Sequence, residues 1–214
     1  MSGIKSATVA LSNTAWEETG KRASDFIEAL YRLARDRNAD GPQGGVARQA
    51  LAELRAGLAF SPSGRLRMAR HVVPFLPPDP RPIDRWFYVV GALFAATPER
   101  RGGRRNVSLG AVFRELHEQK DGSESIEARF LALVNSRADN LPTYLRHAVS
   151  LFDSNEIELD WRLLLADLFG WGDPDRKVQD RWLRHFYRAP VGQADSDLDE
   201  TSTDPFEGDD HEED

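Results

Sequence analysis

Apolar residues recur at helical spacing through most of the chain. Phe26, Ile27, Leu30, Leu33 and Ala34 return at intervals of three and four and predict a helix over roughly residues 13–37, with Gly20 weakening its first half. The stretch Asp40-Gly-Pro-Gln-Gly-Gly45 breaks the pattern. Ala47, Ala50, Leu51, Leu54 and Leu58 then form one narrow stripe, a second helix. Pro62 and the prolines from Pro74 to Pro82 bracket a short helix around residues 66–73. After Pro82 the series Ile83, Trp86, Phe87, Val90, Leu93 and Phe94 is the strongest amphipathic signal, and Thr97-Pro98 ends it.

The second half continues in the same rhythm. A loop over residues 98–107 carries Arg100, Arg101, Arg104 and Arg105 around Gly102-Gly103. Ser108 is placed to cap a helix through Leu109, Val112, Phe113 and Leu116, closed by Asp121-Gly122. Ser123 or Ser125 opens the next, with Ile126, Phe130, Leu133 and Val134 on its apolar face. Asp139-Asn140 precedes a helix that holds Pro142 in its first turn, where proline is tolerated. Its stripe is Leu141, Leu145, Ala148, Val149 and Phe152. Asp160 caps a helix over 161–171, and Asp173-Pro174 opens the last, over 175–188. No β-alternation and no fixed-period repeat interrupts this series. The expected fold is all-α, eight or nine helices in bundle-like packing. The expected division is an N-terminal helical part over 1–98, a C-terminal helical bundle over 99–190 and a disordered acidic tail over 191–214.

Charge sharpens that division. The 214 residues hold 28 Lys and Arg against 35 Asp and Glu, a net charge of −7. Residues 193–214 contain 11 of the acids and no Lys or Arg, with Leu198 and Phe206 as their only bulky apolar residues. Such a segment buries too little to offset its ordering entropy, so it is expected to be disordered. Without it, 28 basic groups face 24 acidic ones and the body carries +4. The basic side is lopsided: 24 arginines and four lysines, Lys5, Lys21, Lys120 and Lys177.

Several classes of function fall away. There is no cysteine, hence no disulfide framework, thiolate metal cage or thiol nucleophile. The longest apolar run, residues 86–96, is about half of the ~20 residues that a membrane helix needs, and residues 7–11 are too short for a secretory leader. A cytoplasmic protein without membrane contact is expected. The five histidines are dispersed, none pairing with another at helical zinc spacing, and no phosphate-binding glycine loop follows a strand. No metal, cofactor or catalytic constellation emerges, so the expectation is a non-enzyme.

The arginines are the remaining chemistry. Lys177, Arg181, Arg184 and Arg188 fall in one strip of the last helix, about 130° from Val178, Trp182 and Phe186. Such a strip suits a phosphate backbone through bidentate contacts; it equally suits a solvated face near a helix C-terminus. Arg48 and Arg55 lie beside the second helix's apolar stripe. The sixth and seventh helices carry Arg129, Arg137 and Arg146, of which Arg129 and Arg146 adjoin Phe130 and Leu145. Each of these positions also fits a snorkelling or salt-bridged arginine. Arg104 and Arg105 stand out by local density. Trp86, Trp161, Trp171 and Trp182 fall on core stripes and read as packing rather than base-stacking platforms.

Several segments come in a telling order. They are Ala47-Arg48-Gln-Ala-Leu-Ala-Glu-Leu-Arg55, Val107-Ser-Leu-Gly110, Ser125-Ile-Glu-Ala-Arg129-Phe130, Leu141-Pro-Thr-Tyr-Leu145-Arg146, Ile157-Glu-Leu-Asp160-Trp161-Arg-Leu-Leu-Leu, and Arg181-Trp182-Leu-Arg-His-Phe186-Tyr187. In order and spacing, over roughly residues 20–188, the chain resembles the small (CasB) subunit of the type I-E CRISPR surveillance complex, Cascade. That resemblance implies a non-catalytic helical subunit, present in two copies, alongside the backbone and large subunits. It further implies a basic groove beside the crRNA–target DNA hybrid that helps hold the displaced non-target strand. Arg55, Arg129 and Arg146 lie in matching segments and are the first candidates for nucleic-acid contact, followed by Arg48 and Arg137, then Arg104, Arg105, Arg181 and Arg184. The alternative is a helical protein–protein adaptor whose arginines meet acidic partner surfaces. The acidic tail is not part of the family pattern.

Overall fold

The computed structural model describes residues 13–97 and 104–188. These form nine α-helices: α1 Asn13–Asp36, α2 Pro42–Arg55, α3 Pro62–Val72, α4 Arg85–Ala96, α5 Leu109–Gln119, α6 Glu124–Val134, α7 Leu141–Ser154, α8 Trp161–Phe169 and α9 Lys177–Tyr187. Short 3-10 turns follow α2 (Ala56–Ala59) and α3 (Val73–Phe75) and precede α4 (Pro82–Asp84). Among the described residues there is no strand, and the all-α expectation holds.

Local chemistry sets the helix starts. Ser61 Oγ accepts from the Gly64 N–H ahead of α3, Ser108 Oγ from the Ala111 N–H ahead of α5, and Asp160 Oδ1 from the Leu163 N–H ahead of α8. The other carboxylate oxygen of Asp160 accepts from the Asn106 N–H at 2.7 Å, which ties the segment leading into α5 to the start of α8. Two expectations shift. The last helix begins at Lys177 rather than at 175, because Asp173 Oδ1 accepts from the Asp175 N–H and Arg176 turns left-handed at φ 53°. The helix after Asp160 stops at Phe169, short of Trp171, with Gly170 at its end. Trp171 is buried nonetheless, as are Trp86, Trp161 and Trp182.

α4 departs further from its pattern. Its sequence reads as amphipathic, but Trp86, Phe87 and every residue from Val89 to Ala95 are buried. A helix apolar on all sides belongs inside, and α1, α2, α3, α7 and α8 all pack against it. Gly91 permits the closest approach: a Cβ there would come within 3.1 Å of Phe26. Phe87 sits between Phe26 and Phe169, at ring separations of 5.4 and 5.6 Å, and Phe94 meets Tyr31 and Trp161.

A second focus joins α5 to α9. Gly110 lies directly against the Trp182 backbone, and a Cβ there would sit inside the van der Waals radius of the Trp182 carbonyl. Phe130 and Phe186 stack at 4.4 Å, with Phe113 edge-on to Phe152 at 4.8 Å. Trp182, fully buried, donates its indole N–H to Asp167 Oδ2 at 2.6 Å. Both foci belong to one continuous apolar cluster. Because backbone blocks backbone at Gly110, Gly110→Ala is expected to destabilise the fold by about 1–3 kcal/mol, the usual cost of overpacking. A urea titration followed by far-UV circular dichroism measures it.

Candidate nucleic-acid interface

Helix C-termini leave carbonyls without intrahelical partners and carry a partial negative charge. Arginines from elsewhere in the chain reach several such ends. Arg48 Nη1 donates to the Arg37 carbonyl after α1 at 2.7 Å, and Arg55 Nε to the Ala95 carbonyl in the last turn of α4 at 2.9 Å. Arg176 Nη2 donates to the Val134 carbonyl ending α6 at 3.0 Å, and Arg114 Nη1 to the Arg188 carbonyl after α9. The 3-10 turns are served likewise: Arg146 Nη1 donates to the Leu58 carbonyl at 3.4 Å, and Arg22 Nη1 to the Leu76 carbonyl at 3.3 Å. Each such bond uses one of five guanidinium donors and leaves the charge intact.

Arg146 anchors on the turn that follows Arg55. Leu58, which Arg146 reaches, is three residues beyond Arg55 in the turn that extends α2. Both side chains therefore address the corner where α2, α4 and α7 meet, and both residues are exposed. Other sequence candidates are dispersed. Arg48 is exposed at the end of α1; Arg129 on α6 and Arg137 between α6 and α7 are exposed, and neither makes an ion pair with a described residue. No hydrogen bond or ion pair joins these three to the Arg55–Arg146 corner. Arg104 is paired with Glu115, and Arg105 is exposed nearby. Arg100, Arg101 and the acidic tail lie outside the described residues.

On α9 the strip of cations divides. Lys177 meets Asp173 at 3.3 Å and Asp175 at 3.1 Å, and Arg181 pairs with the buried Asp167. Burial pushes the Asp167 carboxyl above its usual range, against the opposing pull of Trp182 and Arg181. Arg184 and Arg188 are exposed, and no described carboxylate pairs with either. His185 lies among these groups, its Nδ1 2.5 Å from Ser108 Oγ. Burial lowers its pKa first, and the charges of Arg181, Arg114 and Arg188 lower it further. Tyr187 donates to Glu127 on α6, a bond that pushes the phenol up to about 12.

Besides Arg22 and Arg176, three arginines escaped sequence reading. Arg65 lies over the Tyr88 ring at 4.5 Å; Arg85 lies over Trp86 at 4.4 Å and meets Asp139 at 3.2 Å. Arg114 follows the buried Phe113 as Arg146 follows Leu145, so the signal that singled out Arg146 was available for it. Nothing in the sequence links Arg65 to Tyr88. On α2 and α3, by contrast, Glu53 accepts from Arg70 and lies 2.7 Å from His71 Nε2, contacts that hold its carboxyl down to about 2. That pair is a clasp between helices. Among the described residues no three His, Cys, Asp or Glu side chains gather as a metal site, and no helix is long and apolar enough to cross a membrane.

Fold and site together define an all-helical protein with an arginine-rich surface. Residues 50–187 match the family model of the CRISPR-associated protein Cse2. The Cse2 protein of Thermus thermophilus is 37% identical over 148 residues, covering 68% of this chain and 83% of that protein. A crystal structure of a Cse2-family protein from the same organism is 32% identical, with a TM-score of 0.63 over 79% of this chain and 98% of that one. The crystal structure of M. ruber CasB is 29% identical, with a TM-score of 0.60 over 78% and 93% of the two chains. A chain of a CRISPR RNA-guided surveillance complex, 24% identical, shares the fold at a TM-score of 0.65 over 79% and 94%. The chain belongs to the Cse2 family.

The lowered pKa of His185 makes a directional prediction. A histidine that binds its proton less readily when folded adds stability that is complete above the unfolded pKa of ~6.5 and is lost as pH falls from there towards the folded value. The urea midpoint is therefore expected to drop between about pH 7.5 and pH 5.5, and His185→Gln is expected to reduce that drop. Paired urea titrations at the two pH values check it.

Proposed function

We propose that this chain is the small subunit of a crRNA-guided CRISPR interference complex of the Cascade type, and that it stabilises the R-loop by sequence-independent contacts to the target and displaced strands. Its partners are the backbone and large subunits, a second copy of itself, the crRNA–target hybrid and the non-target strand, in the cytoplasm. Its role is non-catalytic. Membership of the Cse2 family and the fold shared with a chain of an RNA-guided surveillance complex support the assignment.

The observation that carries the contact role is the exposed Arg55–Arg146 corner, whose guanidinium groups are anchored on carbonyls rather than neutralised by carboxylates. In guided recognition, base pairing reads the sequence, so a subunit needs only to meet backbone. R-loop formation exchanges duplexes of nearly equal stability, and a few phosphate contacts tip that balance. Arg129, Arg137, Arg48, Arg105 and Arg184 extend the surface on which a strand is held, with the paired Arg104 and Arg181 contributing their remaining donors.

If about five phosphates of a single strand are neutralised, log K for strand retention falls against log salt with a slope near −3.5. The triple variant Arg55→Ala, Arg129→Ala, Arg146→Ala is expected to flatten that slope by about 2 and to weaken R-loop formation alike for every target sequence. Size-exclusion chromatography of the reconstituted complex verifies assembly, and permanganate footprinting reads the R-loop. An unchanged R-loop in an assembled triple variant would favour the adaptor role.

A further inference from the structure

The chain's charge is segregated, with the acids of residues 193–214 set after a basic body. The 11 acids of residues 193–214 follow directly on α9, which ends at Tyr187. On α9 the cations nearest the helix start are already neutralised, Lys177 by Asp173 and Asp175 and Arg181 by Asp167. Those nearest the exit, Arg184 and Arg188, have no carboxylate partner among the described residues. Arg114 is drawn to the same end by its bond to the Arg188 carbonyl, with Glu118 at 3.6 Å as a partial counter-charge. Two further acids lie close by: Glu127, which Tyr187 engages, and Asp180, one turn before Arg184 on α9 and not ion-paired with it. Beside burial, the charges of Arg181, Arg114 and Arg188 disfavour protonation of His185, which places Arg114 and Arg188 on the same side of α9.

We propose that the acidic segment 193–214 docks in cis on the guanidinium cluster formed by Arg114, Arg184 and Arg188, and so competes with a polynucleotide for that end of α9. The docking stands on charge and tether alone; the competition rests on the nucleic-acid role proposed above. Asp195 follows Arg188 by seven residues, a reach of up to about 3.4 Å per residue, enough to fold back across the end of one helix. A tether this short gives an effective concentration in the millimolar range. Individually weak, salt-sensitive ion pairs therefore suffice to keep the segment docked at low ionic strength. Beyond the residues that match the family, this segment would give the chain its own threshold for strand capture.

The chain has no cysteine, so Ser202→Cys offers a unique attachment point for a nitroxide in the full-length protein. Paramagnetic broadening of the amide signals of residues 114, 184 and 188 is expected at about 50 mM salt, and its loss is expected at about 0.5 M, where the Debye length has shrunk severalfold. Broadening that is absent at low salt, or that survives Arg184→Ala with Arg188→Ala, overturns the docking and leaves the R-loop role untouched. In a second arm, an oligothymidine of about 20 nucleotides is added. Release of the segment, together with about three- to tenfold tighter oligothymidine binding when all 11 acids become Asn or Gln, supports the competition. A docked segment that the strand does not displace overturns the competition and counts against nucleic-acid contact at this end of α9.

Discussion

The fold depends on one helix with no wet side. α4 is buried from Trp86 to Ala95 with the partial exception of Tyr88, and five other helices owe their positions to it. Burial of that many apolar side chains is the main source of favourable free energy available to a chain of this size. It also imposes a demand. A buried carbonyl in the last turn of such a helix, such as that of Ala95, has no intrahelical partner, so some other group must bond it. Arg55 meets that demand at Ala95, and at the opposite end Arg85 lies over Trp86 and reaches Asp139.

The arginines described above that do find a partner thus have three different fates. Some are neutralised by carboxylates: Arg70 by Glu53, Arg104 by Glu115, Arg181 by Asp167. Others sit over aromatic rings, Arg65 over Tyr88 and Arg85 over Trp86. A third group bonds main-chain carbonyls at helix ends. Only the first fate removes charge from the surface. The distinction matters for a partner that carries phosphate, because a guanidinium bonded to a carbonyl keeps its full charge and its remaining donors.

Much of the fold was legible in the chain because helical spacing is local. The stripes of α5, α6 and α7 and the caps Ser108 and Asp160 stand where their sequence places them. What escaped was non-local. The burial of α4 on all sides depends on helices that its own residues do not specify, and the left-handed Arg176 that delays α9 follows from a turn built on Asp173. The site was legible in its residue types but not in its pairing. Arg181 and Arg184 share one strip of the helical wheel, yet one meets a carboxylate fourteen residues earlier in the chain and the other does not. Likewise Arg146 reaches the turn that follows Arg55 only because α7 passes beside it in the fold.

The carbonyl-bonded arginines also bear on composition. A free arginine side chain has about 2 kcal/mol of rotamer entropy to surrender, and immobilising such a chain on binding costs about 0.5–1.5 kcal/mol. Arg55 and Arg146 are already steered by their bonds to Ala95 and Leu58, so part of that ordering is completed during folding rather than at the moment of encounter. Lysine has a single ammonium on a loose stem and lacks the planar fork that grips a carbonyl on one edge while facing outward on the other. A surface that must hold its cations still before any ligand arrives accordingly selects guanidinium, which gives a physical reason for 24 arginines beside four lysines.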